Sequence, residues 1–453
     1  MRRERFGDIR RSSVLDRIGH SVHCGVHEHR PHGAAGGLAV ITQTDHMAQT
    51  IYTPSTPIPP VRSDISAIET SPGIVVLYDD MSYAGSSLRL PMSIVEYLAR
   101  LDGTRSAEYL AGKARAAGRA FSVEEFLRVV TVLEQENFLD SPRFRTYRKE
   151  RDREFNDLPR RPAAHAGASY PDDPGELRKF LDEFLAADPR AAERTAPVAV
   201  IAPHIDFRVG GASYGPAYNA LRKSDADTFI IFGVSHQMSY DAFMISARDF
   251  ETPLGAVPAD RELIAQFRRN LPFEITSDEI AHRQEHSIEF QAVFLRHIFP
   301  DRDIRIVPVL TGSLYEYVEM GSGEIEEDER LNTLYGTLRE TARELGRRVC
   351  YIAGADLCHI GRKFGDGFAA RDILSEVRRF DLELLARAAK PDPEGFINTL
   401  AESRNRYRVC GVAPIYATLR TAAPANGELL VYNQWDETER DSAVTFASVA
   451  YYA

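Results

Sequence analysis

"VAVIAPHIDFRVGG", residues 198–211, decides how the fold is read. Its apolar half has the composition of a strand buried on both faces, and such strands belong to sheets covered by helices. The run then stops at His204 and Asp206, with two glycines close behind. In open α/β sheets ligands bind beyond the carboxyl ends of the strands, so a strand that ends in a titratable side chain delivers it to a rim. The pattern recurs in "TFIIFGVSH" (228–236), which ends in Ser235 and His236, and in "RVCYIAGADLCH" (348–359), which carries Asp356 and His359. Further strand candidates, "IRIVPVL", "ELLVYNQ" and "AVTFASVAYY", alternate with helical stretches such as "PGELRKFLDEFLAA" and "IEFQAVFLRHIF". This alternation predicts a three-layer α/β domain over 161–453, a sheet between two layers of helices.

Taken singly, each polar residue has an ordinary explanation. A strand-end histidine such as His204 can be a hydrogen-bonded structural residue, Asp356 can cap the turn that follows, and Cys358 can be a buried thiol. Glu285, in "EHSIEF", suits the positive end of a helix, which leaves His286 on the surface. Cys410, in "RVCGVAP", can be a small core residue. Convergence favours a polar site, because several separate strand ends carry His, His and Asp-x-x-His.

Upstream, the chain changes character. Residues 1–70 are rich in Arg, His, Gly, Ser and Pro and lack periodicity, which predicts a disordered tail. "HSVHCGVHEHRPH" (20–32) within it offers imidazoles and a thiolate, natural metal ligands, but is read here as low-complexity tail or as sequence upstream of a start at Met47. Residues 74–140 combine "IVVLYDD" and "SLRLP" with three helical stretches, the last opening on the capping-box pair Ser122 and Glu125. They predict a small winged-helix-like α+β domain without the basic recognition helix that DNA binding uses. Residues 141–160, "SPRFRTYRKERDREFNDLPR", read as a charged linker able to form a helix.

Composition narrows the function classes. The chain has 453 residues, 43% of them hydrophobic, enough for one large core and a smaller domain. Its formal charge of -11 argues against nucleic-acid or anionic-membrane partners, which require a basic face. Four scattered cysteines without a CxxC pair, and no secretory leader, predict a reducing, cytoplasmic setting. No apolar stretch reaches the roughly 18 residues of a membrane span.

The ordered series "AHAGASYPDDPGELRKFLDEFL" (164–185), "IAPHIDFRVGGASYGPAYNAL", "IFGVSHQ", "DEIAHRQEHSIEFQAVFLRHIF", "VPVL", "GADLCHIG", "VCGVAP" and "SAVTFASVAYYA" resembles the Memo family, whose bacterial members are called AmmeMemoRadiSam system protein B. The resemblance spans about 290 residues and implies a fold similar to the class III extradiol dioxygenases, which hold non-haem iron. It also implies a mononuclear iron or copper ion bound by His204, His236 and Cys410, with Asp356, His359, Glu285 and His286 in the same pocket. Two positions depart from the family pattern: Ser169 stands where a pocket tryptophan is common, and Asp206 falls within "PHIDF" where "PHAGY" is common. Residues 74–140 resemble the PqqD-like peptide-recognition domains through "LARLDGTRSAEYLA" and "VVTVLEQENFL".

Two imidazoles and one anionic ligand leave positions open on a metal, and a thiolate shifts preference toward softer ions such as copper. On this reading His359 is the acid/base, Asp356 orients it or a water, and His286 is a second proton donor, with Glu285 beside it. Three functions follow. The chain is a metal-dependent oxidoreductase resembling a dioxygenase, or a module that binds peptide or metal without turnover, or an accessory protein that presents a peptide or partner to a radical-SAM enzyme.

Overall fold

The computed structural model describes residues 39–40 and 52–453, apart from 80, 237–240, 276–278 and 322–323. The histidine-rich stretch 20–32 lies outside the described residues. Two compact units divide the chain between Arg153 and Glu154.

In the first unit, strands β1 (Ala39–Val40), β2 (Ile65–Ser71), β3 (Ile74–Asp79) and β4 (Leu88–Pro91) form one sheet in the order β1-β4-β3-β2. Helices α1 (Met92–Leu98), α2 (Ala107–Ala116) and α3 (Val123–Gln135) follow, and the division between units falls inside α4 (Pro142–Asp157). Leu77, Leu88, Val95, Leu110, Phe126 and Val130 share its core. As the capping-box spacing predicts, Ser122 Oγ accepts the Glu125 N–H at 3.2 Å and starts α3.

The tail predicted over 1–70 extends too far. Residues 52–70 belong to the folded unit: Ile58 and Val61 are buried, and β2 pairs antiparallel with β3 from Ile65 onward. Ile65 and Ala67 in "ISAIETS" are buried in a strand that forms because β3 lies beside it, a pairing that composition hides. The segment read as a charged linker able to form a helix is helical, as α4, and it buries Phe144, over which the Arg62 guanidinium sits at 4.1 Å.

The second unit is built on strands β6 (Ala199–Ala202), β7 (Thr228–Val234), β8 (Phe243–Ile245), β10 (Arg305–Thr311), β11 (Val349–Gly354), β12 (His359–Gly361), β13 (Asn426–Glu437) and β14 (Ser442–Tyr452). Two short strands, β5 (Arg160–Arg161) and β9 (Asp249–Phe250), pair separately. The main sheet runs β12-β14-β6-β11-β7-β10-β8, with β13 against β14. Strands β6, β11, β7 and β10 are mutually parallel, as their continuous apolar runs predict, whereas β8, β12, β13 and β14 pair antiparallel.

Two separate cores flank the sheet. On one side pack α5 (Pro174–Ala186), α6 (Phe207–Leu221) and α8 (His286–Ile298), through Leu181, Tyr214, Tyr218, Phe290 and Phe294. On the other pack α7 (Arg261–Asn270), α10 (Glu329–Glu344), α11 (Leu374–Ala389), α12 (Pro393–Glu402) and α13 (Val412–Ala422), through Leu263, Leu338, Leu384, Leu400 and Ile415. The short helix α9 (Tyr315–Val318) follows β10. Among the described residues no helix is long and apolar enough to cross a membrane. Gly354, at the end of β11, sets the depth of the rim: a Cβ there would lie 2.4 Å from the Ser287 carbonyl, so only glycine lets α8 begin this close to the sheet.

Candidate metal centre

The chain leaves β6 into a loop at Pro203 and places His204 fully buried at the rim. Its Nδ1 donates to the Gly354 carbonyl at 2.9 Å, which turns Nε2 away from the sheet. Asp356, just past the end of β11, accepts the His204 backbone N–H at 3.0 Å through Oδ1, and its Oδ2 lies 3.6 Å from His204 Nε2. Cys410 arrives immediately before α13, with Sγ 3.4 Å from His204 Nε2. Gly411 makes this possible: a Cβ would meet the Asp356 carbonyl at 2.4 Å and Ala355 Cβ at 2.8 Å.

His236 follows β7 and is held by Glu285, whose carboxylate oxygens both lie 3.0 Å from its Nδ1 and one of which accepts its backbone N–H at 3.2 Å. Glu285 also caps α8 by accepting the Ser287 N–H at 3.0 Å, so the helix-capping explanation and the site explanation hold together. His286 is buried rather than on the surface. Its ring stacks on that of His236 with centroids 4.7 Å apart and planes 16° apart, while the His204 ring stands nearly perpendicular to both.

Nitrogens of His204, His236 and His286 lie within 4.8 Å of one another, so these three residues could hold a metal ion. Chemistry supports the fit: Nε2 of His236, Nε2 of His286 and Oδ2 of Asp356 are buried without a hydrogen-bond partner. Buried polar atoms without partners are expensive, and a cation would satisfy them.

The charges point the same way. Burial pushes His204 toward the neutral form, but Asp356 and Cys410 outweigh it and raise its pKa to about 9. Burial opposes His236 in the same manner, and Glu285 with Cys410 raises it to about 10. These two imidazoles therefore sit among groups that favour positive charge. Burial, reinforced by the neighbouring His236, drives His286 well below the ordinary histidine range. Burial raises Asp356 to about 6, with Cys410 adding to it and His204 opposing.

His359 opens β12, fully buried, with Nδ1 3.0 Å from the Leu357 carbonyl and 3.2 Å from that of Arg408. Phe364 packs edge-on against its ring at 5.1 Å. Burial lowers its pKa to about 4, with Cys410 and His204 among the groups that act on it. Carbonyls thus orient His359, and the contacts of the Asp356 carboxylate described above are with His204. Cys358 is a buried thiol that donates to Asp381 Oδ1 at 3.0 Å. Asp206 caps α6 by accepting the Arg208 N–H at 2.9 Å, and Ser169 is buried beside Tyr170.

One part of the site goes unread in the sequence. Arg161 donates to the carbonyls of His282 at 2.9 Å and Glu285 at 2.7 Å and pairs with the Glu289 carboxylate, both side chains fully buried. Glu289 also accepts the N–H groups of Ala164 and His165 and the Tyr170 hydroxyl. The cluster fastens the segment 160–170 to the first turns of α8 and brings the His165 ring 5.7 Å from that of His286. A signal existed: Glu289 interrupts the apolar run "IEFQAVF", and a carboxylate on a buried helix face requires a cationic partner.

Fold and site together define an α/β protein with a buried imidazole cluster able to hold a metal ion. The model of the Memo family, described as Memo-like protein, matches residues 161–450. The chain belongs to that family. MEMO1 family proteins of Aquifex aeolicus, Thermus thermophilus and Pyrococcus furiosus are similar to it. The first is 28% identical over 364 residues, 78% of this chain and 90% of the relative. The second is 30% identical over 285 residues (63% and 80%), and the third 29% over 301 residues (64% and 98%). A match over 78% of the chain is longer than the 161–450 stretch, so the Aquifex likeness reaches into the first unit.

Proposed function

We propose that this Memo-like protein is a mononuclear iron or copper redox enzyme, with the ion held by His204, His236 and Cys410 in an extradiol-dioxygenase-like domain. The observation that carries the reading is the meeting of Cys410 Sγ and His204 Nε2 at 3.4 Å beside the partnerless Nε2 of His236. His236 and His286 stack with ring centroids 4.7 Å apart, and both belong to the imidazole cluster around His204. His236 is the better ligand of the two, because the Glu285 carboxylate at Nδ1 fixes its tautomer and raises its basicity. A metal bound by two imidazoles and a thiolate supplies one-electron chemistry and open positions for a small molecule.

The protein's own groups then divide the proton work. His359, kept neutral by burial, accepts a proton at Nε2, because its Nδ1–H donates to the Leu357 and Arg408 carbonyls. His286, also neutral, stands behind His236 as a second proton carrier, and Asp356 holds His204 in place. A second reading, an accessory role beside a radical-SAM enzyme as in AmmeMemoRadiSam systems, draws support from the Aquifex likeness that reaches into the first unit. On that reading the PqqD-like unit presents a peptide.

The test is anaerobic purification, metal loading and measurement of oxygen uptake in wild type and His359→Ala. Turnover lost in the variant with metal stoichiometry intact supports the assignment. Loss of the metal itself overturns the role of His359, and a wild type that holds metal tightly without consuming oxygen overturns the redox reading.

A further inference from the structure

A second feature lies along the same rim as the histidines. A cavity of about 130 Å3 is lined by Asp241, Phe243, Glu316, Tyr317, Asp328 and Tyr335, together with Thr311, Arg330 and Ala413. Thr311 ends β10 in register with Val234, and its carbonyl accepts the N–H of Ser235, the neighbour of His236, at 3.2 Å. Ala413 stands three residues after Cys410, in the first turn of α13. One backbone hydrogen bond therefore joins the cavity wall at Thr311 to the residue before His236.

The lining has a chemical bias. Three carboxylates, those of Asp241, Glu316 and Asp328, share it with one cation, and the Arg330 guanidinium is engaged over the Phe273 ring at 4.4 Å. Asp328 is fixed in place, capping α10 through the Leu331 N–H at 2.9 Å and accepting the Tyr317 hydroxyl at 2.5 Å. Phe243 and Tyr335, with centroids 5.6 Å apart, form an aromatic wall. Behind it Tyr416 packs edge-on against Tyr335 at 5.9 Å and keeps its hydroxyl buried with no hydrogen-bond partner. Aromatic faces and carboxylates together attract an ammonium group, whereas an anion would meet three charges of its own sign.

We propose that this cavity binds an alkylammonium group carried by the substrate that reaches the histidine cluster. Such a group is offered by a lysine side chain in a peptide or by a free alkylamine. The proposal rests on the reading of that cluster as the reactive centre, but its test does not require the metal. Full-length, metal-free protein is titrated by NMR with n-butylammonium, 1-butanol and butyrate. Butylammonium should bind about tenfold or more tighter than either control, and Glu316→Gln should weaken it about three- to fivefold, the range of an exposed ion pair. Glu316 is exposed, so the variant keeps the fold, and its metal uptake should match wild type. Tighter binding of Gly-Lys-Gly amide than of butylammonium assigns the group to a peptide, and the reverse assigns it to a free amine. Equal binding of 1-butanol, or a Glu316→Gln variant that binds like wild type, overturns the proposal. Amine binding as expected in a protein that shows no turnover when loaded with metal leaves the pocket standing and removes only the redox reading.

Discussion

Replacing Arg161 with methionine probes how the centre is held, and its size follows from the contacts. The guanidinium donates to the carbonyls of His282, Glu285 and Pro162 and pairs with Glu289, with both side chains fully buried. Breaking a buried ion pair from one side leaves an uncompensated charge and costs about 3–5 kcal/mol. The second unit has 300 residues from Glu154 to Ala453. With an unfolding entropy of about 2.1 cal/mol/K per residue, that loss lowers Tm by about 5–8 °C. Burial raises the pKa of Glu289, but Arg161, His165 and Tyr170 outweigh it and hold it below the ordinary glutamate range. A depressed folded pKa gives stability that is present above the unfolded value, about 4.3, and lost as pH falls through the folded value. The gap in Tm between wild type and Arg161→Met should therefore be full at pH 7 and narrow below about pH 4. Calorimetry across this range, with Glu289→Gln and the double variant, completes a cycle in which the pair should show coupling of about 2 kcal/mol. A single variant that melts within about 1 °C of wild type at pH 7, where surface changes fall, refutes the reasoning.

Three further outcomes are expected. Glu285→Gln removes the carboxylate that holds His236 and should weaken metal affinity about 10–100-fold with the far-ultraviolet spectrum unchanged; competition with a chelator measures it, and wild-type affinity would count against the ligand role of His236. Gly411→Ala drives a methyl into the Asp356 carbonyl, so it should lose about 1–3 kcal/mol in chemical denaturation and displace Cys410, and a neutral result contradicts the close approach. Burial raises Asp381 to about 6. The folded state therefore holds more protons than the unfolded one between about pH 4 and 6, and stability falls as pH rises across that window. Asp381→Asn should flatten this slope, and parallel pH curves for variant and wild type would exclude it.

What the sequence revealed follows from where the information sits. The parallel strands β6, β7, β10 and β11 were legible because strands buried on both faces must be apolar along their whole length, and each of β6, β7 and β11 gives way to its polar residues where the strand ends at the rim. Ser122 and Glu125 announced α3 through contacts three residues apart. The Arg161–Glu289 pair spans 128 residues, and only the folded chain brings Arg161, the first residue of the expected α/β domain, to a carboxylate inside an apolar helix. Glu285 illustrates the same limit: its helix-capping bond to Ser287 is local and readable, while its grip on His236 crosses 49 residues. Strand β2 escaped notice because a short run with two isoleucines in a Pro- and Ser-rich stretch gains meaning only from its partner β3.

The central claim is that two imidazoles and a thiolate share one ion. X-ray absorption at the metal edge of the loaded protein reads this directly. The account requires one sulfur neighbour at about 2.3 Å and two nitrogens at about 2.0–2.1 Å, with the sulfur signal gone in Cys410→Ser. A shell of nitrogen and oxygen alone in the wild type, unchanged in that variant, would place Cys410 outside the coordination sphere and contradict it.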